Sequence, residues 1–262
     1  MNTFLPCLIA AIVSASPAAA QNLFTGTWKG DIAASQLSAK PSIIALVAGK
    51  YTCSTCKPAV TVVADGAFHP VVGNPYYDEM SVVIVDPTTI KRSSRKAGKL
   101  VGESTVTVAP DGKTSSIAYS DLTAANGVPV TGTMTNERIA AGPAGSHAVS
   151  GSWRATNTGQ VSDSGLVFSI ALDGKVLKYT TPTGVAYTAT IGGPAAPVTG
   201  DPGWTSVSVK QLGKDTLVET DFHVGKTLAT YTMTVSPDGK TMTTKVNDIK
   251  FGKTSTLIAT RQ

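Results

Sequence analysis

The sequence predicts an all-β protein: two tandem antiparallel meander β-barrels behind a short leader. Three observations carry that expectation. Thr- and Val-rich segments alternate polar and apolar residues with period two, as half-buried strands do. Asp-Gly and Asn-Gly steps fall between them and supply the positive-φ positions that tight hairpins need. The chain is also written twice: residues 70–121 lie on 197–248 without a gap at a constant offset of 127, with about 18 of the 52 positions identical.

Taken in order, the chain opens on an apolar run, Phe4-Leu5-Pro6-Cys7-Leu8-Ile9-Ala10-Ala11-Ile12-Val13, too short to span a bilayer. Small residues follow and end in Ala18-Ala19-Ala20. This pattern reads as a secretory signal peptide over residues 1–20, cut after Ala20, which places the mature protein in the periplasm or outside the cell. Cys7 leaves with the leader. The remaining pair, Cys53 and Cys56, is expected to form a disulfide in an oxidising compartment. No later run reaches the length of a membrane helix, so a soluble mature chain is expected.

The first repeat is expected to fill residues 21–141. Ser81-Val82-Val83-Ile84-Val85 and Thr105-Val106-Thr107-Val108 are among its strands, and Asp65-Gly66, Asp111-Gly112 and Asn126-Gly127 are among its turns. Ser35 to Lys40 has the pattern of a single helical turn. The small residues Ala140-Ala141-Gly142-Pro143-Ala144-Gly145-Ser146 mark the seam. The second repeat, 142–262, carries strands at Thr205-Ser206-Val207-Ser208-Val209 and Tyr231-Thr232-Met233-Thr234-Val235, with turns at Asp173-Gly174 and Asp238-Gly239. Each half holds about eight to ten candidate strands, a meander whose edges are best removed by closure into a barrel.

The repeats open with Gly26-Thr27-Trp28-Lys29 and Gly151-Ser152-Trp153-Arg154, and an arginine, Arg138 or Arg261, stands near the end of each. Closure brings first and last strands together. Arg138 is therefore expected over Trp28 and Arg261 over Trp153, each a cation–π contact of about 0.5–2 kcal/mol. On these residues the chain resembles the lipocalin-like, or calycin-type, β-barrels, whose first strand carries Gly-x-Trp and whose last carries an Arg over it. It is more closely similar to uncharacterised exported bacterial proteins built of such units. Those open with Gly-Thr-Trp-Lys and run through a Pro-Val-x-Gly-x-Pro segment, here Pro70 to Pro75 and Pro197 to Pro202, to the Asp-Gly-Lys-Thr hairpins at Asp111 and Asp238. The resemblance implies a barrel, export and an apolar ligand, and brings no catalytic residues.

Composition narrows the partners. A chain of 262 residues with 42% hydrophobic and 15% charged residues can bury a core, and a net charge of +5 is too small for a dedicated nucleic-acid binder. The densest basic run, with Lys91, Arg92, Arg95, Lys96 and Lys99, reads as a solvated hairpin tip or as a peripheral contact with an anionic envelope surface. Few aromatics and Thr-rich strand faces argue against an outer-membrane barrel.

No motif calls for a cofactor or a metal. Cys53-Ser54-Thr55-Cys56 has the spacing of a redox motif but sits among strands and turns rather than opening a helix, and the second repeat has Thr180 and Thr183 there. Lys57 stands where haem attachment would need His, and a metal reading that recruited His69 would lack a fourth ligand. Gly-Lys-Thr occurs at Gly112, Gly225, Gly239 and Gly252 without the upstream glycine of a phosphate loop. Glu219, Asp221 and His223 share one face of a strand. That face reads as a carboxylate–imidazole or metal constellation or, equally, as a solvated outer face, and the basic residues at the matching first-half positions suggest that the halves dock through the two.

The leading functional expectation is a non-catalytic barrel that binds a small apolar or amphipathic molecule. Its discriminator is an interior cavity of roughly 300 Å³ or more, mostly apolar with a few polar groups. The alternatives are an envelope interaction protein using the basic 91–99 segment or the groove between barrels, and a thiol–disulfide protein using Cys53 and Cys56.

Overall fold

The computed structural model describes residues 22–156 and 159–262, and over them the regular secondary structure is nearly all strand. The leader, with Cys7 and the cleavage site after Ala20, lies outside the described residues. In chain order the first strands are β1 (Gly26–Gln36), β2 (Ser42–Val47), β3 (Lys50–Cys53), β4 (Val60–Val63) and β5 (His69–Pro70). They continue as β6 (Glu79–Asp86), β7 (Thr89–Lys96), β8 (Lys99–Val108), β9 (Thr114–Asp121) and β10 (Val130–Ala141). Then come β11 (Gly151–Ala155), β12 (Gln160–Val161) and a single helical turn, α1 (Asp163–Leu166). The rest are β13 (Val167–Asp173), β14 (Val176–Thr180), β15 (Ala186–Thr190), β16 (Ala196–Thr199), β17 (Ser206–Gln211), β18 (Thr216–His223), β19 (Lys226–Val235), β20 (Thr241–Asp248) and β21 (Lys253–Arg261). The turns at Asp111-Gly112 and Asp238-Gly239 carry positive φ at the glycine, 69° and 71°.

Two antiparallel barrels result, but neither is built from one repeat alone. The closed barrel runs β1-β13-β14-β15-β16-β17-β18-β19-β20-β21. The other sheet runs β4-β3-β2-β11-β10-β9-β8-β7-β6-β5, with β12 added beside β10. It is nearly closed: Gly66 bridges the seam by donating to Val82 O at 3.0 Å and accepting from Ser81 Oγ at 2.8 Å. The two repeats have exchanged their opening strands.

This corrects the expectation of two barrels contiguous in sequence, divided between 141 and 142. The loop after β10, residues 142–150, folds β11 back as a hairpin, pairing Ala141 with Gly151 and Arg138 with Trp153. Consecutive antiparallel strands pair most readily. β11 then sits between β10 and β2, the place β1 would fill in a self-contained first barrel. β1 instead closes the second barrel between β13 and β21. The crossover segments run side by side, since Gln36, Leu37, Ser38, Arg154, Ala155 and Thr156 line one shared groove.

The helical turn expected at Ser35 to Lys40 is also absent. Ser35 and Gln36 stay in β1, where the Ser35 hydroxyl donates to Asp31 O at 2.6 Å and accepts from Ile258 N–H at 3.0 Å, tying the residue to β21. The helical turn in the described chain is α1, placed where the second crossover enters the closed barrel.

Candidate functional site

The exchange decides what seals each barrel. Arg261 lies over Trp28, its guanidinium carbon 4.3 Å from the ring centre, and Arg138 lies over Trp153 at 4.1 Å. The expected pairings, Arg138 with Trp28 and Arg261 with Trp153, are therefore crossed. Each seal has the same parts. Arg138 donates to the carbonyls of Gly112 (2.5 Å), Ser150 (2.5 Å) and Ala148 (2.7 Å), while Trp153 Nε1 donates to Val149 O at 2.9 Å. Arg261 donates to the carbonyls of Gly239, Thr25 and Leu23, and Trp28 Nε1 to Phe24 O at 3.0 Å. The Gly-x-Trp glycine has a physical reason here. A Cβ on Gly26 or Gly151 would collide with the guanidinium, and φ is +149° and +145° at the two positions.

With one end sealed, the first barrel keeps open space beside its buried apolar cluster. Period two turns Ile90 and Arg92 of β7, Ser104 and Val106 of β8, Ser115 and Ile117 of β9, and Met134 and Asn136 of β10 toward the axis. All of them but Ile90, which is packed in the core, line one or both of two lobes. One, of about 450 Å³, is bounded by Ile44, Val106, Val149, Trp153 and the Cys53–Cys56 pair, with Leu37, Lys40 and Lys253 at the crossover end. The other, of about 460 Å³, runs past Tyr76, Tyr77, Met80 and Tyr119. Arg92, Ile117 and Met134 line both lobes, so the guanidinium sits between them. Arg92 Nε donates to Ser104 Oγ at 3.0 Å and Nη1 to Tyr51 Oη at 3.2 Å. Among the described residues no carboxylate forms an ion pair with it.

The second barrel is filled. Phe168, Tyr179 and Tyr187 stack in series with ring centres 5.8 and 5.1 Å apart, and Trp204 meets both tyrosines edge-on at 6.2 and 5.6 Å. Among these rings lie Glu219 and Asp221, 7% and 6% exposed. Tyr187 Oη donates to Glu219 Oε2. Burial pushes Glu219 well above the usual carboxylate range. Burial, and then the adjoining Glu219 charge, pushes Asp221 up as well. Asp221 Oδ1 and His223 Nδ1 are buried without a hydrogen-bond partner.

Glu219 stands at the repeat position of Arg92, and the two face the interiors of different barrels. The reading of Glu219, Asp221 and His223 as a solvated face, and of the halves docking through opposite charges there, is overturned. Leu217, fully buried, has the same strand parity as Glu219 and was the available signal. The barrels meet elsewhere: Tyr76 Oη donates to Asp201 Oδ1 at 3.0 Å, and Asn126 Nδ2 to Pro182 O at 2.6 Å.

The basic run does not form one patch. Lys91, Lys96 and Lys99 are exposed, and Lys96 lies 3.9 Å from Asp78. Arg95 stacks on the Phe68 ring at 3.7 Å, and Arg92 turns inward. Strand alternation and a register shift between Ser94 and Arg95 divide them. Cys53 and Cys56 are joined in a disulfide at the end of β3, beside the first lobe. His69 is engaged by Asp65 at 2.8 Å, and His147 Nε2 by Asp86 O at 2.7 Å. Among the described residues no cluster of His, Cys, Asp and Glu is arranged to hold a metal ion. The chain matches no protein-family model and no curated protein sequence.

Proposed function

We propose that this is an exported, lipocalin-like binding protein that carries a small amphipathic molecule inside its first barrel. One observation carries the reading: a mostly apolar interior space of about 450 Å³, with a few convergent polar groups, sealed at one end by Trp153 and Arg138. That volume is within the range of small-molecule pockets. The second barrel acts as a packed scaffold, and its contribution is to hold the crossover beside which the cavity opens.

The test is native mass spectrometry of protein purified from its own host, followed by titration of the delipidated protein with an uncharged naphthylamine fluorophore. A retained adduct, or fluorophore binding that Ile117→Trp abolishes by filling the space, is the expected result. No adduct together with no fluorophore binding to the wild-type chain overturns the proposal.

A further inference from the structure

Resting on that reading, we propose that the cavity selects an acidic amphipath, and that Arg92 is the residue that takes its carboxylate. The argument begins with the cost of the charge. A cation facing an apolar interior loses hydration, and the loss is recovered only through pairing or full hydrogen bonding. At the equivalent position of the second barrel, burial pushes the Glu219 carboxyl well above the usual carboxylate range, and a carboxyl can shed its charge by taking up a proton. A guanidinium has no such escape, because it stays charged at every physiological pH.

Arg92 therefore needs acceptors, and among the described residues it has two neutral ones, Ser104 Oγ and Tyr51 Oη. These occupy two of the five N–H donors of a guanidinium. The fork points to a planar two-oxygen acceptor, which a carboxylate matches with paired, charge-assisted bonds.

The charges on the lining divide between the two lobes, with Glu103 and Asp121 on the one that runs past Tyr119. Among the described residues, the lobe bounded by Trp153 carries three cationic side chains, Arg92, Lys40 and Lys253, and no Asp or Glu. Lys40 is exposed, its Nζ donating to Phe251 O at 3.0 Å, and so marks the solvent end of the lobe. An acid approaching from that end meets one sign of charge throughout. Its apolar portion would lie along Ile44, Val106, Ile117, Met134 and Val149. The groups that hold Arg92 are themselves held by the sheet: Ser104 is opposite Arg92 in the β7–β8 ladder, and Tyr51 shares the inward face of β3 with Cys53.

The experiment compares decanoic acid with decanol, equal in chain length and different in charge, by calorimetry on delipidated wild-type protein, Arg92→Gln, Arg92→Lys and the outward control Lys91→Gln. Wild type and Lys91→Gln are expected to favour the acid by about tenfold or more, the worth of a charge-assisted bond. Arg92→Gln should lose that preference while retaining decanol, and Arg92→Lys should keep part of it. Equal affinities of the wild type for acid and alcohol overturn the inference and leave the binding reading intact. Failure of both probes to bind the wild type overturns both. If Arg92→Gln does not fold, the wild-type acid-to-alcohol ratio and its loss with rising salt still decide.

Discussion

The two barrels share a repeat, a strand order and a Trp–Arg seal, yet one is hollow and the other is full. A few inward positions account for the difference. Where the first barrel has Arg92, Ser104 and Tyr77, the second has Glu219, Tyr231 and Trp204 at the same offset. Counted from the hairpin turn, Cys53 opposite Val60 in β3–β4 corresponds to Tyr179 opposite Tyr187 in β14–β15. Larger rings close the second interior, and burial pushes the acids among them toward their neutral form. Smaller side chains leave the first interior open around a group that cannot discharge itself. After duplication, then, the backbone template and its seal were retained while the interior chemistry diverged, which is how one fold comes to hold both a scaffold and a site.

The comparison rests on the strand exchange, and the largest expected effect breaks it there. Trp28→Ala removes a fully buried indole from the closed barrel and should cost about 3–5 kcal/mol. Double-mutant cycles identify the partner. Trp28 with Arg261, and Trp153 with Arg138, should each show a coupling of about 1–2 kcal/mol, whereas Trp28 with Arg138 should be additive. Coupling in the third pair and not in the first would show barrels contiguous in sequence. Chemical denaturation followed by tryptophan fluorescence measures all of these.

How much of this was legible in the sequence depends on whether the information was local. Period two and the Asp-Gly hairpins are local, and they specified the barrels. Gly-x-Trp and its arginine were legible as a seal, but nothing in Gly26-Thr27-Trp28 or Gly151-Ser152-Trp153 says which sheet each strand joins. Loop length does not reveal the choice either, since the connection from β1 to β2 is shorter than that from β10 to β11, yet it is the longer one that closes a hairpin. Arg92 was hidden by its neighbours, since a run from Lys91 to Lys99 reads as surface. The counter-signal was parity: Ile90 and Arg92 share a face, as Leu217 and Glu219 do at the equivalent positions, and each apolar member is buried. The cavity itself could not be read, because vacancy is a property of how opposite walls meet.

Two smaller effects sharpen the contrast between the interiors. Cys53→Ser with Cys56→Ser releases the staple beside the hollow barrel and should lower stability by about 2 kcal/mol, as expected for so short a loop. In the filled barrel the readout is pH. Glu219 and Asp221 hold protons in the folded state that the unfolded chain releases near pH 4. Across that window the native state binds more protons, so stability is greatest at acid pH and falls as pH rises toward and beyond neutrality. Glu219→Gln should flatten that fall by roughly 1–2 kcal/mol between pH 5 and pH 8 in denaturant midpoints. A steeper fall in the variant would mean that the carboxyl is charged and usefully paired.

The smallest effect concerns what joins the two barrels. Tyr76 follows Pro75 in the first repeat, and the matching residue of the second is Gly203, whose missing side chain leaves the space that the Tyr76 ring fills. The Tyr76 hydroxyl then donates to Asp201, and burial with that nearby carboxylate raises the phenol above its ordinary range. Tyr76→Phe keeps the ring and removes the bond, so the expected loss is about 1 kcal/mol. Because the bond spans both barrels, its loss should also separate two unfolding steps in calorimetry, where one is expected for the wild type. A single unchanged transition would mean that the exchanged strands alone make the barrels cooperative, with Tyr76 contributing only packing.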